Sequence, residues 1–341
     1  MGEPAAARPP SREVQESLVR EAARAPSVHN VQPARWRFEP EGDLVLLRAT
    51  DRALPVADPT GHDVMLSLGA AFEGMAIALS RIGCTLGTPV PEVTATAPGC
   101  EPVVRAPIVR TIGRDAEIDP LAPCVQLRRS HRGRFAAPRP GEMAALGALA
   151  AADAQLVSAA DEIWAIGVMH DVATWSFESR PAHHAELWSW LRLSRRDPRY
   201  RRDGLNADCL ALSAVERRAA RLLLRPTSGA RRGRRGRARQ RVAESAQVRS
   251  ASAVLLFTPR TADSPFDVGR RFYRLWLSVA ATGLSAAPMS ASADDPVIRA
   301  ALARRYGIAP DRRLANLLRI GGTPEAGVPE SARLPVGEVL V

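Results

Sequence analysis

The sequence predicts an α+β chain made of two similar halves packed against each other. Three observations predict this class. Short apolar strands alternate with helical stretches along the whole chain. Two stretches, "GAAFEGMAIALSRIG" (69–83) and "GRRFYRLWLSVAATG" (269–283), share Gly, Phe and Gly at equal offsets, and each leads into a short apolar strand. Segment 61–82 is apolar nearly all round (Val64, Leu66, Leu68, Phe72, Met75, Ile77, Leu79), the pattern of a helix buried on every side. In duplicated α+β units the most apolar helices pair, which accounts for that face.

Taken in order, residues 10–25 read as an amphipathic helix, with Val14, Leu18, Val19 and Ala22 at helical spacing. Segments 34–38 and 43–48 form a strand hairpin, 61–82 the apolar helix and "PVVRAPIVRTI" a strand. A helix near 118–128 runs into "RRSHRGRF". The second half begins with a helix over 140–151, a strand "AQLVSA" and a helix over 160–176. Residues 180–225 read as helical and rich in Arg and Trp. The run "GARRGRRGRARQR" (229–241) is low in complexity. A buried strand "SAVLLF", a helix over 264–282, a strand "LSAAPMS", a helix over 295–306 and a strand "LANLLRIGG" complete the chain.

Composition excludes several classes. With 341 residues and 46% hydrophobic content, the chain can bury a large core. No apolar stretch reaches membrane-spanning length uninterrupted, and "MGEPAAARPPSREV" lacks the apolar core of a secretory signal, so a cytoplasmic protein is expected. The four cysteines (Cys84, Cys100, Cys124, Cys209) form no CxxC pair and cluster with no histidine, which argues against disulfides and zinc. The net charge of +11 invites an anionic partner, yet the chain has no lysine, a pattern that GC-rich coding also produces. Seven Arg in 229–241 would suit an electrostatic tether, but no aromatic stacking platform adjoins them, so nucleic acid is not the expected partner. His62, His170, His183 and His184 show no metal-ligand spacing.

Two motifs carry chemistry. "APSVHNVQPARWRF" (25–38) packs Ser27, His29, Asn30 and Gln32 between a helix and a strand, stiffened by Pro26 and Pro33. Such residues cap helix ends, but their density exceeds what capping needs and suits a flat, hydrogen-bonding heterocycle. In "RRSHR", Arg128, Ser130 and Arg132 alternate, so in extended chain they point one way. Two guanidinium forks and a hydroxyl suit a phosphate monoester; a solvated basic helix end would look the same.

In this order, with "LPVADPTGHDVMLSLGAAF" (54–72) and the closing "LLRIGGTPEAGVPESARLPVGEVL", these motifs resemble the nitroreductase superfamily. The chain is most similar to its fused form, the dormancy-associated mycobacterial proteins of the Acg type. The resemblance implies a nitroreductase-like fold of two tandem repeats, 1–125 and 126–341, forming an intramolecular pseudo-dimer. A lid-like insert would lie at about 176–245. It implies FMN, with Arg128, Ser130, Arg132 and Arg333 on the phosphate and Pro26, Ser27, His29, Asn30 and Gln32 along the ring and ribityl chain. Met289 and Ser290 fall where a backbone N–H approaches flavin N5. The first half keeps the ring loop and lacks "RRSxR"; the second keeps "RRSHR" and shows "ALAAADAQLV" where the loop would stand. One complete flavin site per chain is the simplest account. Where relatives carry Trp after "QP", this chain has Ala34, with Trp36 a substitute packing aromatic.

The resemblance implies an oxidoreductase with ping-pong two-electron transfer through flavin N5, NAD(P)H as the candidate reductant, and a small-molecule, specialised-metabolite or peptide substrate. The alternative is an FMN-sequestering protein whose flavin lies under the insert. No triad, paired-carboxylate signature or P-loop points to hydrolysis or phosphoryl transfer. Fusion removes the need for a second subunit, so a monomer is expected and a further dimer remains open.

Overall fold

The computed structural model describes residues 9–111, 117–149, 153–225 and 245–341; the arginine-rich run 229–241 lies outside the described residues. The first half begins with α1 (Arg12–Ala22), whose Leu18, Val19 and Ala22 are buried. A hairpin follows, β1 (Ala34–Phe38) and β2 (Asp43–Ala49), closed by Gly42 at φ +98°, where a side chain would be strained. Then come α2 (His62–Ser80), β3 (Cys84–Leu86), β4 (Val90–Pro91) and the long β5 (Cys100–Arg110).

The second half contains β6 (Ala154–Val157), α3 (Ala160–Glu178), α4 (Pro181–Trp190), the short β7 (Leu191–Arg192) and β8 (Leu205–Asn206), and α5 (Ala214–Leu223). It continues with β9 (Ala253–Phe257), α6 (Pro265–Ala281), β10 (Leu284–Pro288), α7 (Pro296–Arg305) and β11 (Asn316–Gly322). Pro at the first position and a capping side chain start two of these helices. Ser264 accepts from Asp267 N–H at α6, and Asp295 from Val297 and Ile298 N–H at α7.

The two main sheets have the same plan. One runs β1-β2-β5-β3 and the other, read from its opposite edge, β6-β9-β11-β10, with every adjacent pair antiparallel. Where the first half turns between β1 and β2 over residues 39–42, the second carries α3, α4, α5 and the β7–β8 pair between β6 and β9. A hairpin turn tolerates such an insertion because the strands on either side keep their pairing.

Helices α2 and α6 join the halves. A Cβ on Gly69 would lie 1.9 Å from the Phe266 carbonyl oxygen, and one on Gly269 would lie 2.0 Å from that of Leu66. Each glycine thus meets the backbone three positions before the other, a reciprocity that a local two-fold between equal helices produces. Glu73, buried within α2, accepts from Arg270 (2.8 Å) and Arg274 (2.9 Å) of α6. Gly269→Ala is expected to force the helices apart and lower unfolding free energy by about 3 kcal/mol, read by urea denaturation.

Helix α2 has the length and apolarity to cross a membrane, but 67% of its most apolar window is buried inside the fold. The chain end returns to the first half: Trp36 N–H donates to Val339 O (2.8 Å) and Val341 N–H to Trp36 O (2.9 Å).

Two expectations are corrected. The helix expected over 118–128 is only Cys124–Leu127, because Pro120 and Pro123 interrupt it. Residues 180–225 are not continuously helical. Gly204, at φ +70°, places its α-carbon so close to Trp190 that a Cβ would come within 2.3 Å of the Trp190 carbonyl oxygen. That close passage lets β8 pair in parallel with β7.

Candidate functional site

The ring loop is a strained piece of backbone. His29, Asn30 and Gln32 have φ of +48°, +57° and +55°, a region that costs a non-glycine residue on the order of 1 kcal/mol. Internal hydrogen bonds hold it there. Ser27 Oγ accepts from Gln32 N–H (3.0 Å), and Gln32 Nε2 donates to Arg202 O (2.8 Å) while its Oε1 accepts from Leu334 N–H (2.8 Å). Asn30 Nδ2 donates to Ala332 O (3.0 Å) and Gly204 O (3.2 Å), and Asn30 Oδ1 accepts from Arg333 (3.0 Å). The two amides therefore clasp the insert on one side and the chain end on the other.

His29 makes no hydrogen bond among the described residues. Burial, followed by the neighbouring charge of Arg132, holds its imidazole down to about 4. A histidine held below its unfolded value of 6.5 favours folding above pH 6.5, and that contribution is lost as pH falls toward 4. His29→Asn, which keeps the left-handed backbone, is expected to flatten the loss of stability between those pH values by about 2 kcal/mol. Thermal melts across that range read it.

The "RRSHR" run lies along β10. Ser130 bridges Ala286 in parallel, and His131 N–H donates to Ala286 O (2.9 Å). Arg128 is 3% exposed and stacks on Trp276 at 4.7 Å. It donates through Nη2 to Arg24 O (2.9 Å), while its Nε and Nη1 are buried without a well-aligned hydrogen bond, the buried Tyr273 hydroxyl beside it being the neighbouring group that favours its charge. Arg333 donates to the same carbonyl (2.9 Å), and its Nε is likewise buried and unpaired. Neither guanidinium has a carboxylate partner among the described residues. Burial first, then mutual repulsion, lowers Arg333 to about 9; burial alone dominates in Arg128, at about 10. Two buried cations side by side without a counter-charge cost several kcal/mol, and their unmet N–H groups fit an anion.

At the end of β10 the structure separates the two neighbours expected at N5. Met289 N–H donates to Leu317 O (2.8 Å) and its side chain is in the core, whereas Ser290 N–H donates to no group among the described residues. The site residues are thus brought together. Asn30 touches Arg333, Arg333 and Arg128 share the Arg24 carbonyl, Arg132 faces His29, and Ser130 bridges the strand that ends before Met289 and Ser290. Pro26, half-buried, begins the loop.

The insert covers this region. A Cβ on Gly133, just past "RRSHR", would lie 3.3 Å from Ala211 Cβ, and burial pushes the Cys209 thiol up while Arg132 and Arg333 pull it down. Sequence reasoning missed the clamp that fastens the insert. Asp203 accepts from Arg52 (2.6 Å) and Arg192 (2.7 Å), and Glu186 accepts from Val56 and Ala57 N–H (2.9 and 2.8 Å). Nothing in the spacing of these residues signals it.

Trp36 is fully buried in the first-half core and Ala34 sits on β1 opposite Arg48. His170 bonds Ser292 Oγ through Nδ1 (2.8 Å) and His62 meets Arg313. No group of three His, Cys, Asp or Glu among the described residues could hold a metal ion.

No protein-family model matches the chain. Two Mycobacterium tuberculosis proteins are similar over a short stretch. "Putative NAD(P)H nitroreductase Rv3131" is 39% identical over 74 residues, 22% of this chain and 21% of that protein. "Putative NAD(P)H nitroreductase acg" is 37% identical over 73 residues, 21% of this chain and 22% of that protein. The sequence likeness is to nitroreductases of the Acg type. The matched stretch spans about a fifth of the length of these curated relatives. Among solved structures, the FMN- and NADPH-dependent nitroreductase NfnB of a Sphingopyxis strain aligns at 20% identity and TM-score 0.36, covering 65% of this chain and 97% of that one. A "putative nitroreductase" of Anabaena variabilis aligns at 10% identity and TM-score 0.42, covering 90% of this chain and 88% of that one.

Proposed function

We propose that the chain is an FMN-dependent oxidoreductase with a nitroreductase-like fold, its halves 1–125 and 126–341 being tandem repeats that share one flavin site. The observation that carries this reading is the pair of buried guanidiniums, Arg128 and Arg333, with unmet N–H groups and no counter-charge. A phosphate monoester supplies what they lack. Ser130 and Arg132, from the same run, would complete its hold. His29 and Pro26 would meet the ring system, with Asn30 and Gln32 fixing the loop that presents them and Ser27 bracing its backbone. Ser290 N–H would face N5, and Met289 would anchor that turn through Leu317.

Bound there, FMN supplies two-electron transfer, taken from a reductant such as NAD(P)H and passed to a second, small-molecule, metabolite or peptide substrate. The protein's part is to orient and exclude water. The insert closes over the ring loop through Gly204 and Arg202, and the arginines favour added negative charge. We place the protein in the cytoplasm, as a monomer.

The test is the visible spectrum of the purified chain. Flavin bands with one releasable FMN per chain support the reading; a colourless protein that fails to take up added FMN overturns it.

A second reading, flavin sequestration, draws on the same insert, fastened at Asp203, Glu186, Asn30 and Gln32. Sustained turnover with NAD(P)H and a panel of acceptors would sink it.

A further inference from the structure

A cavity of about 750 Å³ lies outside the proposed flavin contacts and meets them only at Arg333. Its walls are the outer face of α1, the insert between β7 and α5, and the chain end after residue 328. The floor is apolar: Val19, Leu334 and Val339 are buried there, and Leu212 flanks them. The rim is cationic. Arg20, Arg24, Arg201 and Arg333 stand against two carboxylates, Asp208 and Glu330.

Those carboxylates are already engaged. Glu330 pairs with Arg24 (2.6 Å) and Asp208 with Arg195 (3.0 Å). Arg20 and Arg201 are exposed and make no ion pair among the described residues. The Arg333 Nε–H, buried and unpartnered, completes the set of free cationic donors. A cavity of this size falls within the range that takes an organic ligand, and an inorganic anion would leave most of it unfilled. An apolar floor under unpaired guanidiniums selects a molecule with an apolar body and an anionic head.

We propose that this cavity is a second ligand site, for an amphipathic organic anion such as an aromatic or short acyl carboxylate. Its head meets Arg20 and Arg201 and its body lies over Val19, Leu212 and Leu334. The site does not depend on the flavin reading, because the residues that define it are separate from the flavin contacts except for Arg333.

Isothermal titration of the full-length chain, as purified, with 2-naphthoate and with decanoate tests it, with 2-naphthol as the uncharged control. One equivalent of at least one of the acids is expected to bind, at least tenfold more tightly than 2-naphthol. Arg20→Glu with Arg201→Glu should weaken that binding at least tenfold. Both positions are exposed, so the fold is retained. Leu212→Trp, which fills the floor, should abolish binding while flavin content stays that of the parent. Failure of both acids to bind overturns the proposal. So does equal binding of acid and naphthol, or affinity unmoved by the charge reversals. A parallel titration with inorganic phosphate that competed equally well would also overturn it, since the apolar floor would then contribute nothing.

Discussion

Arg128→Met is expected to stabilise the flavin-free protein and to cripple flavin binding. In the flavin-free chain, Arg128 is buried, leaves two N–H groups unmet and lies beside a second buried cation, Arg333. Methionine is similar in length, keeps contact with Trp276 through its thioether, and removes the uncompensated charge. The Arg24 carbonyl keeps its bond from Arg333. Replacing a poorly compensated buried charge with an apolar side chain of similar volume raises stability by about 1–3 kcal/mol. With the flavin phosphate in place the balance reverses. Each charge-assisted bond lost costs roughly 1.5–3 kcal/mol, so two of them weaken FMN binding by at least about 100-fold. Urea denaturation without flavin and fluorescence titration with FMN read the two effects. A variant less stable without flavin, yet normal in FMN uptake, would show that Arg128 is a structural residue. Arg128→Lys separates charge from geometry: it restores part of the affinity if charge alone matters and little if the fork is needed.

Much of this architecture was legible in the sequence, for identifiable reasons. The helix 62–80 announces itself because burial nearly all round leaves almost no polar face, whereas its counterpart 265–281 is amphipathic, with Arg270, Arg271 and Arg274 on its polar side. The shared Gly69 and Gly269 were visible as a spacing, and the structure supplies the cause, a backbone approach that leaves no room for a Cβ. The arginine run and the ring loop were visible because each is locally dense. What stayed hidden is non-local. Asn30 and Gln32 read as groups for a ligand, yet their polar atoms are bonded to residues 202–204 and 332–334. A side chain's hydrogen-bonding capacity is encoded in its type, but its partner is set by the fold. The same holds for residues 180–225, where the count of good helix formers suggested one helical stretch. The helix that begins at Pro181 ends at Trp190, Gly204 turns the chain back beside it, and the buried ion cluster decides its path.

That cluster carries the second large effect. Asp203→Ala is expected to lower stability by roughly 3–5 kcal/mol, because it strands the buried Arg192 and leaves Arg52 only the exposed Asp51 (3.4 Å). Asp203 Oδ1 accepts from Arg192 Nε (3.0 Å) and Nη2 (2.7 Å), and its Oδ2 from Arg52 Nη1 (2.6 Å). The Arg192 and Asp203 side chains are only 2% and 6% exposed, so water cannot replace the lost carboxylate. Arg52 belongs to the first half and the other two to the insert, so the loss should fall on their junction. Gly204, the next residue, donates to Asn30 O and accepts from Asn30 Nδ2, which carries the disturbance into the ring loop. Hydrogen exchange should therefore quicken in 191–206 and in 27–32 before the two main sheets respond. If the insert restricts access to the flavin, the same variant will reduce acceptors faster and lose FMN sooner. The combined variant Arg52→Met, Asp203→Leu, Arg192→Met distinguishes charge from fit. Removing all three charges should recover most of the stability that Asp203→Ala loses. Recovery of stability with the ring loop again protected would show that the clamp works by holding the insert closed. A triple variant as unstable as Asp203→Ala would mean that the three side chains fit one another in a way apolar groups cannot reproduce.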